Sequence, residues 1–136
     1  MVSGAHNRVE LRVAAISDFL VMKCFALAGR EKPKDAYDIC YCLEHAPGGM
    51  ESIAAAWQTE TQSAGVAKAL PILREKFARL DGFGPQMVVA FHHSADSEAR
   101  DREARTAFEL VQRFLGLFLS EAAQRMKAES FELETD

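Results

Sequence analysis

Residues 19–28 read Phe-Leu-Val-Met-Lys-Cys-Phe-Ala-Leu-Ala, an apolar run broken by one charge, Lys23. A segment that is apolar on every side predicts a helix through the middle of a core. Ser17 is its expected N-cap, Asp18 sits in the first turn, and Gly29 is the expected stop. Lys23 lies three residues after Leu20 and four before Leu27, so it shares their face. A buried ammonium left alone is costly, so Lys23 either snorkels outward or meets an anionic partner.

Partners follow closely in the chain. Residues 30–33 form a charged turn, and Pro33 opens a second helix that runs to about His45 before Pro47, Gly48 and Gly49 end it. Asp35 and Asp38 are three apart on that helix and point to roughly the same side. A short turn makes the two helices antiparallel neighbours, with Arg30, Lys32 and Lys34 around the junction. Two readings of this charged cluster are open. In one, Lys23 and Asp38 are a structural ion pair. In the other, Lys23 and Arg30 grip phosphates while Asp38 positions or activates a partner group, as phosphoryl or nucleotidyl transfer requires.

The rest of the chain is read by periodicity. Val9, Leu11 and Val13 alternate with Glu10 and Arg12, which predicts a short strand whose open edge invites a partner. Ile53, Ala54 and Trp57 suggest a third helix, and 63–65 a break. Leu70, Leu73, Phe77 and Leu80 suggest a fourth helix through Arg79, with Pro71 near its first full turn. Residues 87–91 are apolar and β-branched and read as a second brief strand. A long amphipathic helix starts near Asp96 or Ser97 and carries Ala104, Phe108, Val111, Leu115, Phe118, Ala122 and Met126 on one face. Residues 127–136 read as a frayed tail. The expected fold class is therefore mainly α, about five helices with one or two short β-strands, as a single domain over residues 1–136.

Sixteen basic against 20 acidic residues leave a net charge of −4, so there is no long-range attraction for a nucleic-acid backbone. Cys24, Cys40 and Cys42 are odd in number and lie among apolar residues, which suits reduced thiols in a cytoplasmic setting. The first residues hold no apolar run of signal-peptide length, and no run is long enough to span a bilayer.

Lys23-Cys-Phe-Ala-Leu, followed by Arg30-Glu-Lys-Pro-Lys-Asp-Ala-Tyr-Asp38-Ile, resembles the second, helical half of AbiEii/AbiGii-type nucleotidyltransferases. Residues 9–17 and 108–119 are similar in pattern, and residues 16–43 carry the specific part. The resemblance implies catalytic roles for Lys23 and for Asp35 or Asp38, phosphate contacts from Lys23, Arg30 and Lys34, and a toxin–antitoxin setting. In that family a Gly-Ser turn and an Asp-x-Asp pair in the first half hold the metal and the nucleoside triphosphate. This sequence has neither, and its Ser3-Gly4 is in the reverse order. The resemblance therefore implies that the chain alone binds no metal or cofactor and is inactive. Magnesium and nucleoside triphosphate enter only beside a complementary half. The expected partner is that half or a second copy, and the alternative is a non-catalytic interaction module that homo-oligomerises.

Other signals point to packing. His92 and His93 lack metal-ligand spacing and read as loop residues. Cys40 and Cys42 are about 200° apart around a helix and cannot share a tetrahedral metal without a third element. Phe108, Phe114 and Phe118 suit a core face better than a dimer seam, and Tyr37, Tyr41 and Trp57 read as core or rim.

Overall fold

The computed structural model describes residues 4–60 and 63–134, with side chains for 12–60 and 63–118. Six helices follow one another: α1 (Gly4–Arg30), α2 (Pro33–His45), α3 (Met50–Thr59), α4 (Ala64–Lys76), α5 (Phe83–His92) and α6 (Ser97–Glu134). There is no strand among the described residues.

The first expected strand, residues 9–13, lies inside α1. The side chains of Val9 and Leu11 are outside the described set, but the reason is visible from Val13 onward. Val13 and Ile16 are partly buried, Leu20, Cys24 and Leu27 fully so, and their spacing of three and four continues through Ser17 without interruption. The helical stripe prevails over the local alternation. Ser17 is accordingly a mid-helix residue, fully buried, with its Oγ unpaired among the described residues. The end of α1 is also displaced from Gly29. The chain continues to Arg30, and Glu31 takes the left-handed turn at φ 53°.

The second expected strand, residues 87–91, lies inside α5. Val88 is buried, and Phe83 and Met87, four apart, pack against the core. This tertiary contact outweighs the β-preference of two adjacent valines. Gly84 permits the approach, because a Cβ there would stand 2.7 Å from both the Lys76 carbonyl oxygen and the Phe77 ring. His92 is the last residue of α5, and only His93, at φ 56°, has left the helix.

Smaller boundaries moved too. Ser63 caps α4 by accepting from the Val66 amide at 3.3 Å, so the expected break at 63–65 is a helix start. Helix α4 ends at Lys76, short of Arg79, and Pro71 falls in its interior.

Helix α2 is central. It packs on α1, α5 and α6, while α6 also covers α3 and α5, and α4 closes against α1. Trp57 and Phe114 meet edge to face at 5.2 Å where α3 crosses α6. Two glutamines stitch α6 to its neighbours: Gln58 donates to the Phe118 carbonyl and Gln112 to the Phe77 carbonyl, each at 2.7 Å. The second bond satisfies a carbonyl just past the end of α4, where no intrahelical donor remains. Phe114 and Phe118 are buried, so the aromatic face of α6 is core. The backbone of α6 is helical to Glu134.

Candidate functional site

The link between α1 and α2 is two residues long. Pro33 starts α2 without an amide to satisfy, and the Asp35 amide donates to the Lys32 carbonyl at 3.0 Å. So tight a turn places the last residue of α1 against the first turn of α2. Arg30 therefore reaches Asp35 with a planar fork, Nε to Oδ2 and Nη2 to Oδ1, both at 2.8 Å.

Lys23 lies two turns back on α1, facing the same side of α2. Its Nζ is 3.2 Å from Asp35 Oδ1 and 2.9 Å from Asp38 Oδ2. Lys34, one turn before Asp38, approaches the same Asp38 Oδ2 at 2.8 Å. All five residues expected at the site, Lys23, Arg30, Lys34, Asp35 and Asp38, thus form one connected network.

Burial divides them. The Asp35 side chain is 0% exposed and that of Asp38 13%, whereas Arg30 is 50% and Lys34 66% exposed. The carboxylates form the base and the two exposed cations the rim. Lys23 is 9% exposed, and the ring of Phe19, one turn earlier, lies 5.4 Å from its ammonium. Phe19 is a member of the site that sequence reasoning missed, although its position four residues before Lys23 was the available signal.

The fork from Arg30 holds the Asp35 carboxyl below the ordinary carboxylate range, against the upward push of burial and with help from Lys23. Burial pushes Asp38 up, but the bonds from Lys34 and Lys23 outweigh it and leave its pKa lowered. The bond to Asp38 raises the Lys23 ammonium above its usual pKa, against burial and with help from Asp35. Lys23, Arg30, Asp35 and Asp38 are each shifted toward their charged forms. Three cations against two carboxylates leave an excess of one positive charge.

The two aspartates have different freedom. Both Asp35 oxygens are engaged, Oδ1 twice. Asp38 uses only Oδ2, and its Oδ1 accepts no bond among the described residues. This set does not fit a metal ion. Its carboxylates already face cations, and no three His, Cys, Asp or Glu side chains converge anywhere among the described residues.

The cysteines stand apart from this chemistry as unpaired thiols. Burial pushes Cys40 up to about 12 and Cys42 to about 11, and raises Cys24 as well. Such thiols are poor nucleophiles. Among the described residues no helix is long and apolar enough to cross a membrane.

A family model described as nucleotidyl transferase AbiEii toxin, type IV toxin–antitoxin system, matches residues 3–129. No curated protein and no solved structure matches the chain.

Proposed function

Since the chain belongs to the AbiEii nucleotidyl transferase toxin family, we propose that it supplies the helical, phosphate-contacting half of a nucleotidyl-transfer site, with the metal-binding half coming from outside these 136 residues. The observation that carries this reading is the excess positive charge of the cluster, presented at its exposed rim by Arg30 and Lys34.

In this reading Lys23, Arg30 and Lys34 contact phosphate. Nucleotidyl transfer concentrates negative charge on phosphate oxygens, and cations already held in place lower the barrier without reorganising. Lys23 is held between two carboxylates and a ring, and it retains one N–H direction beyond its two bonds. Asp38, whose Oδ1 accepts no bond among the described residues, orients a partner group. Asp35 is a positioning residue, which fixes Lys23 and Arg30 from beneath.

Transfer by this chain alone is not expected. The sequence has no Gly-Ser turn with an Asp-x-Asp pair, and in-line displacement needs metal ions to neutralise phosphate charge. Magnesium and a nucleoside triphosphate enter only with the complementary half, in the cytoplasm.

An exposed apolar stripe supports docking of such a partner. Phe19, Met22 and Phe25 are 37%, 55% and 40% exposed and follow one another along α1 beside Lys23. The same stripe favours a second reading, a non-catalytic module that pairs with its own copy, since a two-fold contact uses one patch twice.

Titration with inorganic triphosphate, read by NMR on the full chain, tests the phosphate contacts without requiring a bound nucleotide. Lys34→Gln and Arg30→Gln should each weaken binding, by up to about five-fold if the contacts are worth roughly a surface ion pair. Affinity unchanged in both variants overturns the assignment of phosphate contacts.

A further inference from the structure

Helices α2, α5 and α6 surround an open cavity of about 470 Å³ that none of the five charged-cluster residues lines. One side is aromatic. Tyr37, Tyr41, His45 and His92 contribute to its lining. Tyr37 is fixed by stacking on Phe91 at 4.3 Å and meets His92 edge-on at 5.5 Å, and Tyr41 lies 4.4 Å from His45.

The lining also holds two carboxylates, Glu44 and Glu103, against one permanent cation, Arg102. Glu103 is the unusual one. Its Oε2 accepts from Ser94 Oγ at 2.6 Å, while its Oε1 is buried with no hydrogen-bond partner among the described residues.

We propose that this cavity binds a flat, cationic N–H donor, an amidinium or guanidinium group, through Glu103 and the tyrosine rings. Each feature selects for that chemistry. The excess of carboxylates favours a cation that donates N–H bonds over an anion or a neutral group. The aromatic wall favours a planar cation that stacks, which an ammonium does less well than a guanidinium. The site is independent of phosphate contact at Lys23, and its failure would leave that reading untouched.

Calorimetric titration of the full chain with benzamidine tests the idea, with neutral benzamide as its near-isostere. Benzamidine should bind at millimolar concentration or tighter, and benzamide about ten-fold more weakly or not at all. Glu103→Gln keeps an acceptor for Ser94 but loses the charge, and should weaken benzamidine binding about ten-fold. Tyr41→Ala, at a position 52% exposed and so tolerant of truncation, should also weaken it and serves if the first variant fails to fold. Agmatine and an arginine-containing tripeptide then separate a free small molecule from a partner's side chain as the source of the group. Absence of saturable binding by benzamidine, equal binding of benzamide, or undiminished binding by a folded Glu103→Gln variant overturns the proposal.

Discussion

Arg30 holds Asp35 by a two-pronged fork across a two-residue turn, 2.8 Å on each prong, and thereby fixes the carboxylate that Lys23 also meets. The pair is asymmetric, since the Asp35 side chain is fully enclosed and that of Arg30 half exposed. Removing the aspartate leaves the buried Lys23 ammonium with Asp38 alone and strands the Arg30 fork, whereas removing the arginine leaves the enclosed carboxylate its bond from Lys23.

Stability should reflect that asymmetry. Asp35→Leu is expected to cost about 3–5 kcal/mol, the usual penalty for truncating one side of a buried pair, with Arg30→Gln costing less because solvent screens it. The double variant Lys23→Met with Asp35→Leu should recover part of the loss, and Lys23→Met with Asp38→Leu provides the parallel cycle. Urea unfolding gives the numbers. Strictly additive losses would mean that Lys23 is not coupled to either aspartate.

The pH profile of stability has a sign that can be worked out. Asp35 and Asp38 have lowered folded pKa values, so their contribution is present above the unfolded value of about 3.9 and disappears as pH falls through the folded values. On the alkaline side the cysteines act first. Their folded pKa values are raised, so stability falls once pH passes the unfolded thiol value of about 8.5. The raised Lys23 pKa means that its own contribution persists until higher pH still. Urea midpoints should therefore plateau between about pH 5 and 8. Replacing Cys24 and Cys40 by alanine should flatten the alkaline limb, and an unchanged limb would count against this account.

Purified chain incubated with labelled nucleoside triphosphates and magnesium should transfer no nucleotide to RNA or protein, because the metal-binding carboxylates are not in its sequence. Robust incorporation that survives stringent purification would reveal an active centre that the Lys23 cluster does not account for.

Self-association should run through α1. The chain is expected to dimerise at concentrations on the order of tens of micromolar, and Met22→Glu, placed in the middle of the exposed stripe, should shift it toward monomer. Sedimentation equilibrium distinguishes the outcomes, and a wild-type protein that stays monomeric would leave the stripe for a different partner.

Much of the site could be read in the sequence because its members are close along the chain. Lys23, Arg30, Lys34, Asp35 and Asp38 fall within 16 residues, and helix spacing plus one short turn suffices to bring them together. Mainly helical character, the boundaries of α2 and the start of α6 were equally local, set by Pro33, Gly48, Gly49 and a long amphipathic period. The separate roles of the two aspartates were not local. Which of them is enclosed depends on how α1 lies across α2, and that geometry gives Asp35 the Arg30 fork while leaving Asp38 an oxygen that accepts no bond among the described residues. The two expected strands failed for a related reason. Alternation at 9–13 and adjacent valines in 87–91 satisfy the strand pattern over a few residues, but burial of Leu20, Cys24 and Val88 against other helices rewards the helical period over longer stretches. Sequence alone determined the chemistry that meets at the turn between α1 and α2. Tertiary packing decided which of those charges is enclosed, because burial depends on what other helices cover and not on the spacing of the residues themselves.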